Sequence, residues 1–432
     1  MTGTIIGRRA ALVLAGLGLA AGYWTVLQNA EQRAAPPPAR AVSTALPAIH
    51  SSFLYGRIIT VDGATYQGRL RFGGNEEAFW GDYFNAVKKG NPWAGLVAEG
   101  ALRKVDLGRP IMARFGDIAK IEAKGRNLWV TLKSGNRYHL ARYAADDFAD
   151  GLRIWDDRGN VVTLNERRVR SIEFFPANAA GAAAPVRLYG TAQTREGDFT
   201  GFLQWNRREG LGLDALDGRS TTGELVSVPF QTIRSITRQS QNNSRVALLD
   251  GREVVLSDTR EVGAGNGGMY VDDARYGRVL VSWDAFIRVD FSEDGGSGPA
   301  YTDFPVGGSL TGTVTTRGGR SLTGRLVFDL DESLITETLD APSGGVDYTI
   351  PFGMVASIVL PAVGEPATQR VSVTLQSGVE LQLVRAGDLG DGNAGMLIFI
   401  AGRERPEYVS WAEVQRLDFD RPPAMFPAIA GR

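Results

Sequence analysis

The stretch LTGTVTTRGGRSLTGRL, residues 310–326, carries the reading of the whole chain: Leu310-Thr311-Gly312, a Gly318-Gly319 turn, then Gly324-Arg325-Leu326. A turn glycine between two alternating segments allows positive φ and closes a β-hairpin. The same hairpin is written at Leu54-Tyr55-Gly56, Asp62-Gly63 and Gly68-Arg69-Leu70, and again at Leu188-Tyr189-Gly190, Glu196-Gly197 and Gly201-Phe202-Leu203. The second glycine of each hairpin, inside a strand, predicts a bulge or a sharp bend that closes a small barrel.

Each copy then reaches apolar residues three apart: Phe115, Ile118, Ile121; Phe230, Ile233, Ile236; Phe352, Val355, Ile358. Residues i and i+3 eclipse in a 3₁₀ turn, so the spacing predicts one such turn at each place. A second pattern, V-x-L-x-x-G-x-x-x-x-L, follows as Val130, Leu132, Gly135, Leu140; Val246, Leu248, Gly251, Leu256; and Val373, Leu375, Gly378, Leu383. The later copies end in Val281, Trp283, Phe286, Val289, Phe291 and Val409, Trp411, Val414, Leu417, Phe419. Internal repetition of this length fixes the architecture as six half-units of roughly 50 residues, paired into three tandem homologous β domains.

From Thr313 to Ile358 a hairpin, a bent G-x-L strand and the closure Ile350-Pro351-Phe352 with Val355 and Ile358 follow in order. This half-unit resembles the Sm-like and SH3-like small β-barrels. The resemblance implies a mainly β fold and no activity, because unrelated functions share a fold.

The expected organisation is a signal peptide or signal anchor at 1–27, a Pro/Ala-rich spacer at 28–53, and repeat 1 at 54–176. A linker at 177–186, repeat 2 at 187–292, a linker at 293–308, repeat 3 at 309–421 and a tail at 422–432 complete it. Arg8 and Arg9 precede an uncharged stretch from Ala10 to Leu27. As an apolar helix its eighteen residues would span about 27 Å, enough for a bilayer core. Small residues Ala20 and Gly22 suit cleavage, whereas Tyr23 and Trp24 suit an interfacial anchor; both readings stay open. Either one places the body outside the cytoplasm, in a periplasm or at a cell surface.

Within repeat 1, residues 76–89 predict an inserted helix, with Asn75 as cap and Gly90 and Pro92 as stop. Phe79, Tyr83 and Val87 are four apart, as are Trp80 and Phe84. Phe79, Trp80, Tyr83 and Phe84 are therefore the candidate partner-binding residues, with plugging of the first domain as the competing role.

Composition excludes more than it names. There is no Cys, which removes disulfides, thiolate metal sites and cysteine nucleophiles. With 47 basic and 48 acidic residues the chain has no general attraction to nucleic acid. Residues 263–268 match G-x-G-x-x-G but lie between strand patterns, and His50 and His139 are too far apart in pattern to suggest a metal pair. Asp388, Asp391 and Asn393 offer oxygens in a short loop without the EF-hand spacing. No catalytic residue, cofactor or metal is called for. The expectation is a non-enzymatic, membrane-associated β-repeat protein that binds or braces a cell-envelope protein or membrane complex. A glycan or cell-wall binding module and a hydrolase are the alternatives.

Overall fold

The computed structural model describes residues 51–73, 75–97, 109–177, 185–296, 298–362 and 370–422. The apolar segment 1–27, nearly all of the spacer and most of the tail lie outside the described residues. Among the described residues no helix is long and apolar enough to cross a membrane.

Alternating burial makes strands of almost every segment, and each repeat holds ten. Repeat 1 contains β1 (Tyr55–Thr60), β2 (Thr65–Phe72), β3 (Tyr83–Val87), β4 (Pro110–Arg114) and β5 (Ile118–Lys124). Its second half adds β6 (Asn127–Leu132), β7 (Arg137–Ala141), β8 (Leu152–Asp156), β9 (Val161–Leu164) and β10 (Val169–Phe174). Repeat 2 contains β11 (Tyr189–Thr194), β12 (Gly197–Gln204), β13 (Ala215–Arg219), β14 (Leu225–Pro229) and β15 (Ile233–Arg238). It continues with β16 (Asn243–Leu248), β17 (Glu253–Ser257), β18 (Met269–Asp273), β19 (Gly277–Val281) and β20 (Phe286–Phe291). Repeat 3 contains β21 (Thr311–Thr316), β22 (Ser321–Val327), β23 (Thr338–Ser343), β24 (Val346–Pro351) and β25 (Val355–Val359). Its last strands are β26 (Val371–Leu375), β27 (Glu380–Leu383), β28 (Met396–Phe399), β29 (Glu407–Val409) and β30 (Val414–Phe419).

The strand order repeats with the sequence. Repeat 1 reads β7-β6-β5-β10-β1-β2-β8-β9, and repeat 3 reads β27-β26-β25-β30-β21-β22-β28-β29. Repeat 2 has the same core order, β17-β16-β15-β20-β11-β12-β18-β19, inside a larger sheet. That sheet extends into repeat 3, because β19 pairs antiparallel with β24, Val281 opposite Val346. The buried residues of repeats 2 and 3 accordingly form one cluster. Repeat 1 keeps its own core, into which Phe202, Tyr301, Phe304 and Leu334 reach from outside it.

The pairing shows that the two halves of a repeat trade hairpins. Strand β2 is continued by β8, from the second half, with Leu70 opposite Ile154. The hairpin β3–β4 instead lies beside β7 through a Lys88–Leu140 bridge, while β4 leads through a 3₁₀ turn at Phe115–Asp117 into β5. In repeat 2 the corresponding contact is Arg219 opposite Ser257. Each repeat thus has one five-strand run, such as β10-β1-β2-β8-β9, and a second group, β5-β6-β7 with β3–β4. Neither is made from a contiguous half of the sequence.

The expected 3₁₀ turns stand at Phe115–Asp117, Phe230–Thr232 and Phe352–Met354, each with its phenylalanine buried. The strand glycines serve a different purpose from the bulge expected of them. Gly56 and Gly68 face each other in regular register. A Cβ at Gly68 would run into the carbonyl of Trp155, and at the equivalent Gly201 and Gly324 into those of Asp272 and Phe399. Close approach of a neighbouring strand, not an extra residue, is what requires glycine there.

The inserted helix over 76–89 is not present: an isolated bridge at Ala78 and a turn lead into strand β3. A spacing of four is also an even number, so it satisfies strand alternation as well as a helix. Asn75 has φ 107° and Gly81 φ 94°, both outside the helical region. Nor is the segment peculiar to repeat 1, since β13 and β23 follow equivalent turns. The copy-specific element is the connection at 88–109 between β3 and β4, where repeats 2 and 3 have short hairpin turns.

Candidate functional site

The same carboxyl framework is built into all three repeats at the turn before β3, β13 and β23. Asp82 Oδ2 accepts the backbone N–H groups of Glu77 and Ala78 at 2.8 and 2.7 Å. Asp214 Oδ2 does the same for Gly210 and Leu211, and Glu337 Oε2 for Ser333 and Leu334. A second carboxylate receives an N–H three residues on, from the strand that follows: Asp147 from Asn85, Glu261 from Asp217 and Asp388 from Asp340, each at 2.6 Å. These bonds satisfy backbone donors of the turn and of the strand after it.

A third acid completes each set. Glu76, Glu209 and Glu332 stand four residues after a buried aromatic, Phe72, Trp205 or Phe328, and each has one buried oxygen without a hydrogen bond among the described residues. Burial, with Asp147 and Asp82 nearby, pushes the Glu76 carboxyl up to about 8. Glu209 rises to about 7 through burial and Glu261, and Glu332 rises well above the usual range through burial, Asp331 and Asp388. In each copy burial and neighbouring carboxyls act in the same direction, against ionisation of the glutamate.

Repeat 3 opens this framework onto a cavity of about 360 Å³ shared with repeat 1. Lys88, at the end of β3, lies 2.8 Å from Asp331 and 3.3 Å from Glu337, all three nearly buried. The hydroxyl of Tyr138 donates to the same Glu337 oxygen at 2.8 Å. Arg109 binds Asp329 at 2.8 Å, and Asn91 donates to the Leu330 carbonyl. Asp329 and Leu330 have φ of 49° and 53°, a left-handed pair held by Arg109 and by the Ala394 N–H. Four of the lining acids are raised by burial: Asp340 to about 6, Asp388 to about 7, Glu332 well above the usual range, and Asp329 in the same direction. Among the described residues no group of acids or histidines is arranged to hold a metal ion. The loop acids read from the sequence divide their work: Asp388 caps β23, Asp391 pairs with Arg385, and Asn393 bonds the Asp388 and Gly395 backbone.

Two further joints use the aromatic segment. Phe79, Trp80, Tyr83 and Phe84 are 0, 3, 3 and 0% exposed. The Phe79 ring packs on Tyr301 at 4.8 Å and Trp80 on Phe304 at 6.3 Å, in the linker between repeats 2 and 3. Arg278 of repeat 2 covers Tyr83 at 4.8 Å, lies 3.7 Å from Asp82 and bonds Asp272 at 3.0 Å. Gln204 donates to Asp82. Phe84 faces inward onto Phe72 and Phe115, and Phe79 also reaches Phe174 of the same core. The four aromatics are thus brought together, three of them at contacts between parts of this chain. His139 lies flat on Trp129, and His50 is outside the described residues.

Sequence reasoning missed Arg109, Glu209 and Glu332, and it read Glu76 and Lys88 as the charged ends of a helix. The glutamates had a signal: superposing the copies puts Glu four residues after Phe72, Trp205 and Phe328. The cations had none, since their partners lie more than 200 residues away. No protein-family model, curated protein or solved structure matches the chain.

Proposed function

We propose that this chain is an extracytoplasmic, membrane-associated β-repeat protein that binds or braces another protein of the cell envelope, without chemistry of its own. Each repeat is read as two small barrels of the SH3-like and Sm-like kind, β10-β1-β2-β8-β9 and β5-β6-β7-β3-β4, completed by the exchange of hairpins. The observation that carries the proposal is that the capping carboxylates shared by the three repeats, and the cations between repeats, serve the fold. Asp82, Asp214 and Glu337 cap turns, while Lys88 and Arg278 tie one repeat to another. A set present in three equivalent copies serves the repeat itself, and what remains for a partner is surface. Residues 8–27, basic and then apolar, support export or anchoring.

The test is capture from intact envelopes after mild cross-linking, with mass spectrometry as readout. One stoichiometric envelope protein is expected, and recovery of the chain alone contradicts the proposal. Fusing residues 1–53 to a reporter active only outside the cytoplasm should give activity, and an inactive fusion contradicts the placement.

A further inference from the structure

We infer that the outer face of β2 and β8 in repeat 1 is the docking surface, and that its occupant is an acidic segment of a partner protein presenting an aromatic side chain. The inference rests on the binding role proposed above and names the surface and the chemistry. The three repeats carry this face at equivalent positions: Arg69, Arg71, Arg153 and Trp155 in repeat 1, Phe202, Gln204, Tyr270 and Asp272 in repeat 2, Arg325, Val327, Leu397 and Phe399 in repeat 3.

Two of the three are covered from within the chain, both by repeat 1. In repeat 3, Arg325 stacks on Phe399 at 3.9 Å, and Trp93 of the 88–109 connection adds a further ring, 5.5 Å from Arg325 and 5.9 Å from Phe399. Val97 joins Val327 and Leu397 in the same apolar cluster. In repeat 2 the cover is Asp82 and Tyr83, an acid and a ring brought onto Arg278, which stacks on Tyr270 at 4.2 Å.

Repeat 1 holds the same stack with its own Phe53 as the third ring, 5.6 Å from Arg69, and leaves Arg153 at its outer edge exposed. Arg69 lies 3.8 Å over Trp155, matching Arg325 over Phe399, and Arg153 approaches the same ring at 5.9 Å. Arg153 is exposed, Trp155 is half-buried, and Val161, opposite Trp155 on β9, is 58% exposed. The acid nearest the arginines is Glu77, buried beneath them at 3.4 Å from Arg69 and 3.9 Å from Arg71. Three arginines around a ring, with their counter-charge below the surface, complement carboxylates and an aromatic side chain arriving from above.

The experiment uses the purified chain and labelled eight-residue peptides holding one tryptophan among glutamates. Controls replace the tryptophan by alanine or the glutamates by lysines. Saturable binding is expected that weakens about tenfold or more with Arg153→Glu, with Trp155→Ala and with the tryptophan-free peptide, and that falls at about 0.5 M salt. Arg153→Glu should leave the unfolding midpoint in place, so lost binding is not lost folding. Equal binding of the lysine peptide, equal binding by Arg153→Glu, or no binding of any peptide overturns the inference. Self-association abolished by Trp155→Ala also overturns it, by giving the face to a second copy. Repeating the envelope capture with Arg153→Glu separates the two proposals: a partner still recovered removes this face and leaves the binding role, whereas no partner for the unaltered chain removes the role.

Discussion

Lys88 is the residue on which the contact between repeats 1 and 3 turns. Its ammonium is buried between Asp331 and Glu337, and removing one member of such a set leaves charges without compensation in a poor dielectric. Lys88→Ala should cost about 3–5 kcal/mol in denaturant unfolding. A loss within error would mean the ions do not hold the joint. Glu76 makes the opposite kind of prediction, because its carboxyl is held above its unfolded value, at about 8, by burial beside Asp147 and Asp82. A raised carboxyl stabilises fully below its unfolded pKa of about 4.3, and that contribution is lost as pH rises toward 8. Stability should therefore fall from pH 5 to pH 8, and Glu76→Gln should flatten the fall by up to about 4 kcal/mol. A variant with the unaltered slope would show that Glu76 ionises freely in the fold.

At the scale of elements, the strand glycines and the exchanged hairpins are the features to test. Gly68→Ala drives a methyl group into the Trp155 backbone and should cost about 1–3 kcal/mol, measured by the shift in denaturant midpoint. Gly392→Ala, at a loop position with open space and no positive φ, should cost less, and equal costs would deny the close approach. The hairpins and the 3₁₀ turns were legible because each depends on spacing within a few residues. Strand β3 was not, since Phe79, Tyr83 and Val87 fit both periods and only the left-handed Asn75 and Gly81 decide between them. The exchange was hidden for another reason. Arg71 and Arg153 are neighbours across β2 and β8 though far apart in sequence, and local pattern carries no record of such a pairing. One consequence is sharp: residues 54–125 alone lack β8, β9 and β10 and should give no cooperative unfolding transition by circular dichroism. A cooperative transition from that fragment would restore the contiguous half-unit read from the sequence.

Over the whole molecule, repeat 1 contacts both other repeats, which are joined to each other through β19 and β24. Its turn covers repeat 2, Trp93 and Val97 cover repeat 3, and it receives Tyr301 and Phe304 in return. The candidate partner residues were legible as a group, because large aromatics at regular spacing must be buried against something. What they meet was not, because it lies in other repeats. The absence of cysteine makes the central pairing directly measurable. Cysteine pairs placed at Arg71 and Arg153, Gln204 and Tyr270, and Val327 and Leu397 sit directly opposite across antiparallel strands, within disulfide reach. Oxidation should close all three bonds with the fold retained, as read by thiol titration and mass spectrometry. Failure at these pairs, with closure instead between Arg71 and Phe84 cysteines on β2 and β3, would contradict the exchange of hairpins and the threefold architecture built on it.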